Sequence, residues 1–475
     1  MDENADQTPA RPTVKTARRW GDRTFVKLAT LALLVVVLLI PVVRVTLLIR
    51  ERMGRQAEVE DEIARTWGGR QTLLGPIVAV PHTVTVEHVT VEERGGVPGG
   101  PNRSVQRTEK VERHVLHALP EEVSWQARVE PEIRYRGLFE VVVYEARLTV
   151  TGVFERPSIE PRPGERVLWE RAVLVLGVPD VRGLQERARL SWGDREVEFL
   201  PGAGPGELVG SGIHAPLPDW SQAAAGERVP FSFELVLRGS GNLSFLPAGE
   251  ETRVEMSSPW PSPGFGGAFL PAEREIGPDG FTASWRVPYF GRDYGQTWSD
   301  QEVVYGQLYG SAFGVSLVLP ADAYQQTERS VKYAVLFILL TFGTLFLLEL
   351  ASPRRLHAMH YLLVGFALCV FYVLLLALGE HLGFTAAYVL AAAATAGLIA
   401  GYSRSILASR GGAAVVLGAL AGLYAFLYVL LRLEDYALLL GAAGLFAALA
   451  VLMRFTRHLD WSSLTFRPPE RSVGA

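Results

Sequence analysis

Two hydrophobic regimes alternate along the chain. Residues 25–43 are apolar except for Lys27, close to the start of the run. At 1.5 Å rise per residue they nearly cross a hydrocarbon core about 30 Å thick, which predicts a membrane-spanning helix. Past residue 330 the chain is apolar in blocks, 331–348, 361–378, 385–401, 413–431 and 436–453, and these predict five more spans. Arg18, Arg19 and Arg23 would suit the basic head of a signal peptide. The apolar stretch is longer than about 15 residues, however, and no A-x-A site follows, so the first span is an uncleaved anchor over 25–49.

Between the spans the period changes. Residues 50–65 are charged and free of proline, and Gly54 weakens a helix without forbidding it, so the first helix continues as a stalk. From Gly75 onward Ile77, Ala79, Val84, Val86 and Val89 alternate with polar residues in a β-branched stretch. Similar strand signals occur at 104–116, 123–129, 138–154, 171–176, 196–200, 231–237, 243–245, 252–256, 281–287 and 314–319. Glycine and proline punctuate them, and 97–101 and 201–206 are expected to be mobile loops. The absence of a short fixed period excludes a propeller or solenoid.

Basic residues in short loops set the orientation. One set of loops holds the N-terminal arginines together with Arg354, Arg355, Arg404, Arg410, Arg454, Arg457, Arg467 and Arg471, whereas the opposite short loops hold only Arg432. Arg44, Arg50, Arg52 and Arg55 conflict locally with this pattern and are outvoted. The expected architecture is a membrane protein with one N-terminal transmembrane helix, a large β-rich extracytoplasmic domain and a C-terminal five-helix transmembrane bundle. Its segments are a cytoplasmic tail (1–24), the anchor (25–49), a periplasmic domain (50–330), the bundle (331–453) and a second cytoplasmic tail (454–475).

Composition agrees. Hydrophobic residues are 49% and charged residues 20%, and mean hydropathy is +0.18, apolar for a soluble chain. A net charge of −4 leaves no basic excess for nucleic acid. Cys369 is alone, so no intrachain disulfide forms, and none of the four lysines (Lys15, Lys27, Lys110, Lys332) follows a glycine as a P-loop lysine does.

Catalytic constellations fail on inspection. There is no G-x-S-x-G elbow, and a serine–lysine dyad has only Lys110 and Lys332 available outside. An offset of three on a strand sends His114 and His117 to opposite faces, and His82 and His88 lie roughly 20 Å apart along an extended strand, so all four are expected as solvated strand histidines. Carboxylates are plentiful without any pair standing out, and the outer tryptophans fit core packing better than sugar platforms. The spans lack midplane ionisable groups for a pump or intramembrane protease, and Gly397 with Gly401 and Gly418 with Gly422 fit close helix packing. No enzyme, cofactor or metal site is expected.

One charge constellation remains. The topology brings Arg44, Arg50, Arg52 and Lys332 to the outer membrane surface, level with Glu380, His381, Glu434 and Asp435. Pairs among them would dock the anchor helix on the bundle. The alternative is that all are solvated interfacial charges worth at most about 1 kcal/mol each.

Long strings resemble the CreD family of bacterial inner-membrane proteins. They include WGGRQTLLGPIVAVP (67–81), RYRGLFEVVVYEARLTVTGVF (134–154), GIHAPL (212–217), RGSGNLSFLPAGEETRVEMSSPWPSPGFGGAFLP (238–271), YLLVGFALCVFYVLLLALGEHLGFTAAYVLAAAATAGLIAGY (361–402) and LEDYALLLGAAGLFAALAVLM (433–453). The insert near 97–102 and the arginine-rich tail depart from it. The resemblance implies a role in cell-envelope integrity, with links to two-component envelope regulation, colicin tolerance and β-lactam stress response, and it supplies no catalytic residue. The expected function is a periplasmic binding or scaffold domain whose partners are the bilayer and an envelope component, be it protein, lipid or glycan. Alternatives are a lipid or small-molecule transporter without intramembrane charges and an enzyme modifying envelope glycan or lipid.

Overall fold

The computed structural model describes residues 18–93, 103–161, 163–206, 208–217, 220, 222–299, 305–319, 323–350, 352, 355–433 and 436–457. They form two compact units, one of Met1–Gly54 with Ala321–Ala475 and the other of Arg55–Pro320. Helix α1 (Arg18–Trp67) is continuous from the apolar run through the charged stretch.

The β unit contains strands β1 (Gln71–Glu93), β2 (Arg103–Ala118), β3 (Glu122–Arg136), β4 (Phe139–Glu155), β5 (Glu165–Val167), β6 (Val173–Gly177), β7 (Arg189–Trp192), β8 (Arg195–Glu198), β9 (Leu200–Pro201), β10 (Gly212–Pro216), β11 (Arg228–Ser240), β12 (Asn242–Phe245), β13 (Glu251–Ser258), β14 (Pro263–Gly267), β15 (Glu273–Gly277), β16 (Gly280–Pro288), β17 (Thr297–Ser299) and β18 (Phe313–Leu317). Eight of them form one sheet in the order β15-β16-β13-β3-β4-β11-β7-β8, and the other ten form a second with β14-β18-β12-β1-β6-β10-β9 as its main path. A short helix, α2 (Tyr305–Gly310), precedes β18.

Alternation explains the packing of the eight-stranded sheet. Trp125, Ala127 and Val129 of β3 are buried, as are Leu148 and Val150 of β4 and Val254 and Met256 of β13, while the residues between them face outward. Trp125 is fully buried, with its ring centroid 5.1 Å from Phe245 of the other sheet. Truncating such a residue to alanine costs about 3–5 kcal/mol. Trp192, Trp220, Trp260, Trp285 and Trp298 are also core residues.

Two expectations need correction here. His82 and His117 are not solvated: both are buried, His82 with its ring 5.5 Å from that of His114 and His117 with its ring 5.6 Å from that of Trp298. Strand alternation placed them on faces, but β5 and β17 extend the sheet beside them, setting Val167 next to His82 and Trp298 next to His117. Segment 201–206 is also held: the Gly202 amide donates to Gly212 at 3.0 Å, and the Gly202 carbonyl meets His214 Nδ1 at 2.9 Å. Segment 97–101 lies outside the described residues.

The helical unit holds the N-terminal part of α1 with α3 (Ala323–Val331), α4 (Ala334–Leu350), α5 (Ala358–Leu382), α6 (Phe384–Leu407), α7 (Arg410–Arg432) and α8 (Ala437–Thr456). Helices α1, α5, α6 and α7 are long and apolar enough to cross a membrane, and α3 with α4 forms a pair bent by 48°. The apolar part of α8, Leu438–Val451, is shorter. The span expected from residue 331 thus begins at Ala334. Thr327 and Ser330 donate their hydroxyls back to the carbonyls of Ala323 (2.7 Å) and Thr327 (2.8 Å), a local competition with helix bonding that bends helices.

The small-residue reading is also corrected. A Cβ built on Gly397, Gly401, Gly418 or Gly422 meets nothing within 4 Å, so among the described residues no helix packs on them. The tight approaches occur at Gly365, facing Leu38, and Gly444, facing Phe426.

Candidate functional site

In the β unit the last turn of α1 is clasped by side chains. The Trp67 indole lies between the guanidinium groups of Arg134 (4.4 Å) and Arg238 (4.2 Å), and its Nε1 donates to the Tyr144 carbonyl at 3.3 Å. Arg134 and Arg238 are held in turn by Glu132 (2.8 Å) and Glu145 (3.4 Å), and Arg136 pairs with Glu62 on the helix. The chain then turns at Gly68, whose φ of +144° and 2.5 Å clearance from a built Cβ to the Arg238 carbonyl oxygen admit only glycine.

Asp180 is the hub of this clasp. It accepts from the Gly69 amide at 2.9 Å and from Arg182 Nε and Nη2, both at 2.8 Å, while Arg182 Nη1 donates to the Arg65 carbonyl at the helix end, 2.7 Å away. The Arg182 side-chain bond, with backbone amide bonds, holds the Asp180 carboxyl below the usual carboxylate range. Gln71 Nε2 donates to the carbonyls of Asp180 and Arg238, each at 3.1 Å. Tyr144 donates its hydroxyl to the Asn242 carbonyl at 2.7 Å, and burial pushes its phenol pKa up. These groups satisfy the helix C-terminus and fix its exit direction.

Of the eight charges singled out in the sequence, the structure brings two together. Arg52 Nε lies 3.6 Å from Glu380, which also accepts from the Tyr324 hydroxyl at 3.2 Å. Arg50 pairs at 3.2 Å with Glu328 of α3, a partner outside the expected set. Arg44, Lys332 and His381 are exposed, with no carboxylate of the described residues within 4 Å. Glu434 and Asp435 lie outside the described residues.

A more buried cluster was missed. Lys27 pairs with Glu349, whose side chain is only 9% exposed. Tyr361 donates to Glu349 at 2.9 Å, and Lys27 Nζ also donates to the Leu356 carbonyl at 2.9 Å. The available signal was that each is a lone charge at the same-side end of an apolar run.

The outward face of the eight-stranded sheet is mostly polar, with Val236 and Val153 among its apolar residues. Along it most charges are paired, among them Arg253 and Arg286 with Glu251, Arg228 with Glu121 and Arg128 with Glu130. One trough of about 1070 Å³ differs. Its wall carries Arg147, Arg274, Glu255, Glu273 and Glu275, none of which makes an ion pair or side-chain hydrogen bond with a described residue. No group of three or more His, Cys, Asp or Glu among the described residues is arranged to hold a metal.

The family model for the inner membrane protein CreD matches residues 23–462. The chain belongs to the CreD family. It is 34% identical to the inner membrane protein CreD of Escherichia coli (strain K12) over 440 residues, which is 92% of this chain and 93% of that protein. The match thus takes in most of both units, this chain's apolar helices and its β-rich region.

Proposed function

We propose that this CreD-family protein supports the integrity of the cell envelope by presenting its β unit on the periplasmic side, where it binds or scaffolds an envelope component. Both termini lie in the cytoplasm in this reading, as the arginine-rich loops demand. The observation that carries it is the open face of the eight-stranded sheet. A domain with its own aromatic core, covalently continuous with a spanning helix through a multiply bonded clasp, turns a broad polar face to solvent.

The test is complementation in a strain lacking the gene, with uptake of a membrane-impermeant dye as the readout. The full chain should restore low uptake. A chain in which residues 71–319 are replaced by a short linker, present in the membrane at equal amount, should not. Equal restoration by both would overturn the role of the β unit.

A further inference from the structure

The trough has an internal order. Register pairs Glu275 with Thr282, Thr282 with Ser257, Ser257 with Arg128 and Arg128 with Arg147, so one row of outward side chains crosses β15, β16, β13, β3 and β4. The adjacent row runs from Glu273 through Ser284 and Glu255 to Gln126 and Thr149. Glu273 and Glu275 therefore make one end acidic, with Arg274 between them on the opposite face of β15; hydroxyls and Glu255 line the middle, and the other end is basic.

The basic end is the least self-sufficient. Arg128 and Arg147 are direct cross-strand partners, and like charges directly opposite each other destabilise a sheet. Arg128 is engaged by Glu130 at 2.7 Å, which leaves Arg147 with no carboxylate among the described residues. At the acidic end Glu273 and Glu275, and on the middle strand Glu255, likewise have no cation within 4 Å among those residues. Elsewhere on this face opposite charges meet; here three strands, β16, β13 and β3, separate Glu273 and Glu275 from Arg147.

We infer that the trough binds a short extended peptide, with its ammonium end at Glu273 and Glu275 and its carboxylate end at Arg128 and Arg147. Resting on the binding role proposed above, this names the ligand class. Length decides among zwitterions: four strand spacings of 4.7–4.9 Å separate Glu275 from Arg147, about 19 Å, and an extended chain at 3.3–3.6 Å per residue covers that with about five or six residues. A zwitterionic phospholipid headgroup, whose ammonium is two carbons from its phosphate ester oxygen, is far too short. A neutral glycan would leave both charged ends uncompensated. Thr282, Ser257 and Ser284 each offer a donor and an acceptor, which suits the alternating N–H and C=O groups of a peptide backbone.

The experiment is calorimetric titration of the full-length protein in lipid nanodiscs with a hexapeptide of alternating glycine and serine bearing free ends. Binding should weaken by about tenfold or more when either end is capped by acetylation or amidation, and equally in Arg147→Glu, since a charge-assisted bond is lost in each case. The charge-swapped variant with Arg128→Glu, Arg147→Glu, Glu273→Lys and Glu275→Lys should recover binding, because a zwitterionic peptide fits it end for end; that recovery also separates lost recognition from misfolding. Equal binding of free and capped peptides, no binding of either, or binding of N-acetylglucosamine hexamer in their place would overturn the peptide assignment. Such failures are distinguishable from failure of the scaffold reading, which falls only if the chain lacking residues 71–319 restores the dye barrier.

Discussion

Leu38 of α1 is fully buried and seats its side chain in the space left by the missing Cβ of Gly365 on α5, where a built Cβ would lie 2.1 Å from Leu38 Cδ1. Here the anchor helix packs against the bundle with no room for a Cβ. Gly365→Val should lower the thermal stability of the purified protein in detergent by the equivalent of about 1–3 kcal/mol, the usual range for overpacking. Adding Leu38→Ala should recover part of the loss. Gly418→Leu, in contrast, should stay within about 0.5 kcal/mol of wild type, since nothing lies within 4 Å of a Cβ there.

Lys27 and Glu349 form a partly buried pair with two further hydrogen bonds. Removing one partner strands the other charge, so Lys27→Met should destabilise the helical unit by about 3 kcal/mol. The double variant Lys27→Met/Glu349→Leu should be milder than either single change, because neither charge remains. Melting curves of the three variants check this.

Arg52 and Glu380 are less enclosed, with side chains 38% and 11% exposed. A double-mutant cycle with alanine at each should give a coupling of about 0.5–1 kcal/mol that shrinks as salt is raised. Additive losses at low salt would mean that the two charges act independently.

Asp180→Asn should destabilise the β unit by about 2 kcal/mol at neutral pH, because an amide cannot accept from Gly69 and both Arg182 nitrogens together. Asp180 is held below its ordinary range in the folded protein. Its contribution is therefore complete above the unfolded carboxylate value of about 3.9 and is lost as pH falls through the lower folded value. The stability gap between wild type and the variant should stay constant from neutrality down to mildly acid pH and close only in strong acid, as read by intrinsic fluorescence during acid titration.

Much of this architecture was legible in local pattern. Period-two alternation located β3, β4, β11, β13 and β16, because each has one face on the core and one in solvent. Pairing was not legible: β3 lies beside β13 across a long sequence separation, and no local signal carries register. The glycine spacings at 397 and 401 and at 418 and 422 misled because small residues permit close approach without requiring it; which face meets a neighbour is decided by the other helices. The Asp180 clasp escaped notice because its members, Gly69, Gln71, Asp180, Arg182 and Arg238, are ordinary residues until the turn at Gly68 brings them together.

Cysteine labelling in intact cells reports which side of the inner membrane the β unit faces, the periplasm in the reading proposed above. In a Cys369→Ala background, Phe290→Cys replaces a side chain that is 94% exposed in the β unit, and a membrane-impermeant maleimide is applied before and after lysis of the inner membrane. Labelling of Phe290→Cys before lysis is the predicted result, with Ser409→Cys in the α6–α7 loop labelled only afterwards. Protection of Phe290→Cys until the inner membrane is broken would place the β unit in the cytoplasm and contradict the account.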